Sequence, residues 1–347
     1  MKTKNKATFF AILAAALYAI NIPLGKLLLK CVAPTMMAAF LYLGAGIGMF
    51  FLGRLSPENT RKLTKAEFPY TLGMILLDIA APILLMLGLE RTNAASASLL
   101  NNFEIVATSL IAFFVFREKL SGRLTVAILL VTLASIALSF KREGSFRFDG
   151  GSLLVLAAAC CWGLENNCTR MLSGKSSVQI TTVKGIFSGL GSLIVALVID
   201  EPLPGILWIG AVLVLGFVAY GLSINFYIQA QKELGAAKTS AYYSIAPFLG
   251  VIFGIVLLAE RPGLQFCLGL VIMLAATWLL VKDTISLQHT HEHSHVHTHE
   301  HCHGELVHSH EHAHTHSHTH IHGESESSHT HTHTQDDASH DHPHPGN

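Results

Sequence analysis

The sequence predicts an all-α polytopic membrane protein: ten transmembrane helices arranged as two inverted five-helix repeats, followed by a disordered His-rich tail. Three observations carry this. Mean hydropathy is +0.46 over all 347 residues, tail included. Before Gln288, apolar runs recur between short polar breaks, most of them near the ~20 residues that cross a ~30 Å hydrocarbon layer. All 22 histidines follow Gln288.

The spans fall at about 7–29, 34–54, 68–89, 94–116, 124–140, 150–172, 178–199, 205–230, 237–258 and 264–281. Helices satisfy every backbone group within the segment, whereas a β-barrel would show ten-residue alternation. The first run follows Lys2, Lys4 and Lys6 as a secretory signal would. It is longer than a signal core and passes into Asn21-Ile22-Pro23 without a cleavage site, so it reads as an uncleaved span. Pro82 and Pro247 are expected to kink the third and ninth spans.

Residues 1–288 hold all 23 Lys and Arg against 14 Asp and Glu, while the tail holds nine acids and no Lys or Arg. An even number of spans puts both termini on one side. Placing that side in the cytoplasm assigns fifteen loop cations inside and seven outside, as positive residues prefer, and leaves Lys184 within a span, where it could snorkel. The expected location is the cell (cytoplasmic) membrane, with cytoplasmic N- and C-termini. Of the six cysteines, most sit in or beside spans, which implies no disulfide framework.

Shifting the first half by 142 residues places Ala94-Ala95 on Ala236-Ala237, Ser98 on Ser240 and Glu118 on Glu260. Tyr18 falls on Trp162 and Lys26 on Arg170 at a shift of 144. Five spans per half is odd, so the halves must run in opposite senses, a pattern of secondary transporters with substrate bound at the repeat interface.

These features resemble the drug/metabolite transporter superfamily, and specifically its EamA-type ten-helix members. The small-residue run Asn93-Ala94-Ala95-Ser96-Ala97-Ser98 and its counterpart Gly235-Ala236-Ala237-Lys238-Thr239-Ser240-Ala241 carry the likeness. So do Glu118 and Glu260, which match the acid after the fourth helix of each unit. The resemblance covers roughly 7–281 and implies two five-helix units around a central cavity, alternating access, and export of small metabolites. The expected organisation is 1–144, the first repeat; 145–284, the second; and 285–347, the tail.

Polar groups inside spans mark the candidate path. Asp78 lies mid-way along the third span, Glu104 in the fourth beside Asn101 and Asn102, and Glu165 in the sixth beside Asn166 and Asn167. A charge at the bilayer centre costs about 2.5–3.5 kcal/mol on insertion scales, so each should face the bundle or a wet cavity. These acids are candidates for proton coupling; the plain alternative is hydrogen-bonded glue between helices. Asn225 joins them as a candidate on the path, and Asn21, Gln229 and Tyr242-Tyr243-Ser244 are weaker ones. Cys161, Glu165 and Cys168 share a helix face at i, i+4, i+7, a set that could hold a soft divalent ion or simply pack closely. Lys26 and Arg170, near span ends, read as snorkelling anchors.

In the tail, alternation runs through His289, His291, His293, His295, His297, His299, His301 and His303. It resumes through His308, His310, His312, His314, His316, His318, His320 and His322. Imidazole is the commonest transition-metal ligand, and in an extended chain i and i+2 point the same way about 7 Å apart. The tract therefore reads as a binder of Ni, Zn, Co or Cu, although so polar a segment cannot fold alone. The alternative is a solvated tail that titrates near pH ~6.5.

No HExxH, nucleotide-binding glycine loop or nucleophile elbow occurs, so the sequence reads as no enzyme, and transport would run on an ion gradient without a cofactor. The leading expectation is a secondary exporter of a small polar metabolite, with the tail as metal buffer or regulator. The alternatives are a transporter of Ni, Co, Zn or a metal chelate, and a membrane-anchored metal store. Expected partners are the lipid bilayer and the small-molecule or metal-ion substrate, with no nucleic acid; a homodimer is left open.

Overall fold

The computed structural model describes residues 2–55, 63–117, 120–141, 147–172, 175–303 and 306–321. Two units separate, Met1–Ser286 and Leu287–Asn347. In the first, ten helical spans appear where the apolar runs place them. α1 (Lys2–Ala19) and α2 (Asn21–Leu28) form the first span, α3 (Pro34–Leu55) the second and α4 (Phe68–Arg91) the third. α5 (Ala94–Leu100) and α6 (Phe103–Phe116) share the fourth, and α7 (Gly122–Ser139) is the fifth. α8 (Gly150–Arg170) and α9 (Ser177–Val198) follow. The eighth span is α10 (Ile206–Gly216), a π-helical turn (Phe217–Leu222) and α11 (Ser223–Leu234). α12 (Ala236–Tyr243) and α13 (Ala246–Leu258) make the ninth, and α14 (Leu264–Leu287) the tenth. Among the described residues, nine spans are long and apolar enough to cross a membrane. The other, α8, has 21 residues, and Glu165, Asn166 and Asn167 dilute its apolar character.

The inverted repeat is visible in local backbone geometry. The fourth span breaks at Asn101-Asn102 and the ninth at Ser244-Ile245, and the 142-residue shift brings the two breaks to within one residue of each other. Both spans also end in a left-handed residue, Arg117 (φ 55°) and Ala259 (φ 53°), related by the same shift. Pro82 lies inside α4, as anticipated. Pro247 instead opens α13 in its first turn, where a missing N–H costs nothing, so the ninth span is broken just ahead of the proline rather than kinked at it.

Close helix approach sets the interior. α3 crosses α9 at Gly46 and Gly185, where a Cβ on Gly185 would lie 2.5 Å from the Gly46 Cα. Only a residue without a side chain allows that approach, which is how helices pack when lipid supplies no hydrophobic drive. The core around it gathers Met36, Met37, Leu41, Leu85, Met86, Leu89, Leu99 and Leu100, all essentially inaccessible. Phe114, Val198, Ile206, Val256 and Leu264 are exposed, as residues facing lipid would be.

Between the fifth and sixth spans, β1 (Phe140–Lys141) pairs antiparallel with β2 (Arg147–Phe148). Asp149 then caps α8, its carboxylate accepting from the Ser152 N–H at 2.9 Å. In the second unit, β3 (Gln288–His303) pairs antiparallel with β4 (Leu306–Ile321). The described backbone of this tract runs as a hairpin, with His289 opposite His320 and His301 opposite His308. A strict two-residue period is also the period of a strand, and Thr favours that conformation. His322 and Glu118 lie outside the described residues.

Candidate functional site

The breaks in the fourth and ninth spans face one another across a cavity of about 500 Å³. Its wall includes Tyr18, Tyr42, Asn101, Asn102, Glu104, Trp162, Glu165, Asn166, Lys184, Tyr220, Tyr243 and Ser244. Further lining comes from Thr277, Leu280, Val281 and Thr284, towards the end of α14. The cavity thus opens towards the face where α1 begins and α14 ends.

The opposite face is tied shut. The Glu260 carboxylate accepts from the Ala94 and Ala95 N–H groups at 2.7 and 2.9 Å, capping the start of α5. Glu201 does the same for α3, accepting from Thr35 and Met36 at 3.1 and 2.8 Å. A carboxylate at a helix N-terminus satisfies otherwise unpaired donors and meets the favourable end of the helix dipole. Lys26 closes a third tie, its ammonium donating to the Leu89, Glu90 and Thr92 carbonyls at the end of α4; it is a cap for that helix rather than a snorkelling anchor.

Two of the three anticipated acids converge on a cation. Lys184 pairs with Asp78 at 3.0 Å and with Glu165 at 3.1 Å. Asp78 is 0 % and Glu165 1 % exposed, so neither carboxylate could stay charged there without this partner. The Tyr42 hydroxyl donates to Asp78 at 3.0 Å and in turn accepts from the Trp162 indole at 3.2 Å. Glu165 also accepts from the Thr169 hydroxyl. Glu104 stands slightly apart, accepting from the Asn166 amide at 2.7 Å, and among the described residues no ion pair reaches it. Asn167 is structural, its amide held by the Gly163 and Thr108 carbonyls.

Lys184 corrects the sequence reading. It does not snorkel: its position beside Gly185, at the close crossing of α3 and α9, turns it inward. The sequence does carry a signal for it, since acids within spans call for a counter-charge and Lys184 is the one cation the charge assignment leaves inside a span. The tyrosines have a larger part than the sequence suggests. Tyr42 meets Tyr220 at 5.6 Å between ring centroids, Tyr220 meets Tyr18 at 5.9 Å, Tyr18 meets Tyr243 at 5.8 Å, and Tyr243 meets Tyr227 at 5.1 Å. The π-helical turn places Tyr220 in this row, and the Asn21 amide donates to its hydroxyl at 2.9 Å.

Two anticipated groups are not assembled. Asn225 is half-buried and off the cavity wall, where Ile224 stands instead. Cys161, Glu165 and Cys168 form no ligand set. Cys161 packs against the main core, Cys168 against Met74, Leu172 and Ile180, and Glu165 is committed to Lys184. Among the described residues, no three His, Cys, Asp or Glu side chains gather as a metal site would require.

The EamA-like transporter family model matches the chain twice, over residues 5–140 and 149–282. An uncharacterized transporter of Methanothermobacter thermautotrophicus is 27% identical over 290 residues, covering 78% of this chain and 84% of that protein. A protein of Chlamydia trachomatis named S-adenosylmethionine/S-adenosylhomocysteine transporter is 23% identical over 286 residues, covering 78% and 88%. A crystal structure superposes with a TM-score of 0.60 at 16% identity, covering 82% of this chain and 99% of the other, a likeness of fold. The chain belongs to the EamA-like transporter family of multi-pass membrane transporters, the family that its repeats, its small-residue runs and the acid after the fourth helix of each unit resemble.

Proposed function

We propose that this transporter is a secondary exporter of a small polar metabolite, driven by an ion gradient and working by alternating access through the central cavity. The observation that carries this reading is the cavity itself: it is open to one face, tied shut at the other, and walled at mid-depth by ionisable groups. A solute released from it must leave through a different opening from the one it used. That requires the Glu260, Glu201 and Lys26 ties to part in the other state. Glu104, Glu165 and Asp78 are the groups that exchange protons during the cycle, with Lys184 balancing their charge. Among known relatives, the Chlamydia protein's name adds nucleoside-bearing amino-acid derivatives to the solutes worth assaying.

Both termini lie in the cytoplasm in this reading, so the His-rich tail is cytoplasmic. It binds transition-metal ions and adjusts transport through a difference in its affinity for the two access states. Metal is a regulator rather than cargo, because no described histidine or cysteine lines the cavity. The test is flux in proteoliposomes with a panel of solutes and divalent metals, comparing the full chain with one ending at Gln288. Metal-sensitive movement of a metabolite by the full chain, and metal-indifferent movement by the shorter one, supports the reading. Movement of a divalent metal alone, lost on truncation, refutes it.

A further inference from the structure

We propose that the cargo is a protonated organic amine bearing a planar ring. Its ammonium would be held by Glu104 and Asn101, and its ring laid along the row of tyrosines. The proposal rests on the transporter reading above and names the substrate class of the same cavity.

The charges come first. Four ionisable groups other than tyrosine stand at mid-depth, the carboxylates of Asp78, Glu104 and Glu165 and the ammonium of Lys184. Lys184 is already shared by Asp78 and Glu165, so it offers no free positive charge to an incoming anion. Glu104 is left with an amide partner only, and its second oxygen has no described partner. An anionic solute would meet a net negative wall, whereas a cation would complete it.

Two orphaned polar atoms sharpen the chemistry. Asn101 and Asn102 are 7 % and 6 % exposed, line the cavity, and leave the Asn101 Oδ1 and the Asn102 Nδ2 without hydrogen-bond partners. Buried polar atoms are rarely left unpaired, and such a pair at a helix break inside a cavity fits a ligand. The Asn101 amide is oriented by its donation to the Tyr18 hydroxyl at 3.2 Å, which turns its acceptor oxygen free. An acceptor beside a lone carboxylate calls for an N–H donor, so an ammonium fits better than a quaternary cation, which has none to give. The free Asn102 donor calls for a hydroxyl, carbonyl or ring nitrogen on the same solute.

The aromatic row supplies the remainder. Tyr18 touches both the charged centre, through Asn101, and the rings of Tyr220 and Tyr243. Tyrosine faces attract cations and stack on planar groups. A cavity of about 500 Å³ accommodates a solute of that size. A metal ion fits poorly, because Glu104 is a single carboxylate with amides around it.

The experiment uses purified full-length protein, with calorimetry reporting binding of phenethylamine, tryptamine, phenethyl alcohol and phenylacetate. At least one of the two amines binds more tightly than the alcohol and the carboxylate, and Glu104→Gln weakens it by about tenfold or more. Tyr243→Leu weakens the ring-bearing amines while leaving methylamine unchanged, which keeps the test open if the Glu104 variant fails to fold. Equal or tighter binding of phenylacetate, or no loss in both variants, overturns the proposal. Failure of both amines to bind at millimolar concentration overturns it too. Flux of an anionic or neutral solute in proteoliposomes would then show that the transporter reading survives, and absence of any flux despite amine binding would show that it does not.

Discussion

Replacing Glu260 by Gln should open the closed face of the bundle. The carboxylate reaches two backbone donors, Ala94 and Ala95, at 2.7 and 2.9 Å, and its charge sits at the N-terminal end of α5. Hydrogen bonds to a charged group contribute about 1.5–3 kcal/mol, against about 0.5–1.5 kcal/mol for neutral ones. Glutamine keeps one acceptor oxygen and turns an NH₂ towards the second donor. The net loss should be about 1–3 kcal/mol of preference for the closed face, roughly 5- to 150-fold in the balance between access states. A full chain lacking its native cysteines and carrying Ser244→Cys places one thiol on the cavity wall at the ninth-span break. In reconstituted vesicles, a membrane-impermeant maleimide should label the parent from the face of the termini. Adding Glu260→Gln should raise labelling from the other face. Unchanged labelling from that face, with the protein still folded, would show that the clamp is a helix cap and no gate.

Lys184→Met should destabilise the bundle by about 3–5 kcal/mol, because it strands Asp78 and Glu165 as buried acids with no counter-charge. Adding Asp78→Asn should recover part of the lost thermal stability in detergent, and no recovery would mean that the lysine acts through packing. The isolated segment 289–347 should bind several transition-metal ions at about pH 7.5 and release them near pH ~5, because protons compete for imidazole. Calorimetry finding less than one ion per segment would refute the tail's role.

The spans are legible because an apolar run of this length is seldom anything but a membrane helix, and the repeat because the order of small residues and acids recurs at one spacing. The site is legible in its acids but less so in its geometry. Asp78, Glu104 and Glu165 advertise themselves by cost, since a buried carboxylate must have a reason. Lys184 does not, because a long side chain a few residues into a span can snorkel as readily as turn inward. The choice is made by the Gly46–Gly185 crossing, which no local pattern reveals. Asn225 is displaced from the cavity wall for a related reason. The π-helical turn ahead of it inserts extra arc, turning the face by about 100° per added residue, so a regular helical period projects the wrong side chain into the cavity. The tyrosines belong to four separate spans and share no spacing; only the fold makes them a row.

The central claim is that solute and proton movements are coupled at the mid-depth carboxylates of this cavity. Its most direct test is proton flux in proteoliposomes loaded with a pH-sensitive dye, recorded as each solute of a panel of amines, amino acids, nucleoside derivatives and divalent metals is added. The account predicts that at least one non-metal solute drives proton movement through the full chain, and that Glu104→Gln or Glu165→Gln abolishes the proton signal in protein that remains inserted and folded. Solute flux that proceeds in both variants with unchanged dependence on the pH gradient would contradict it.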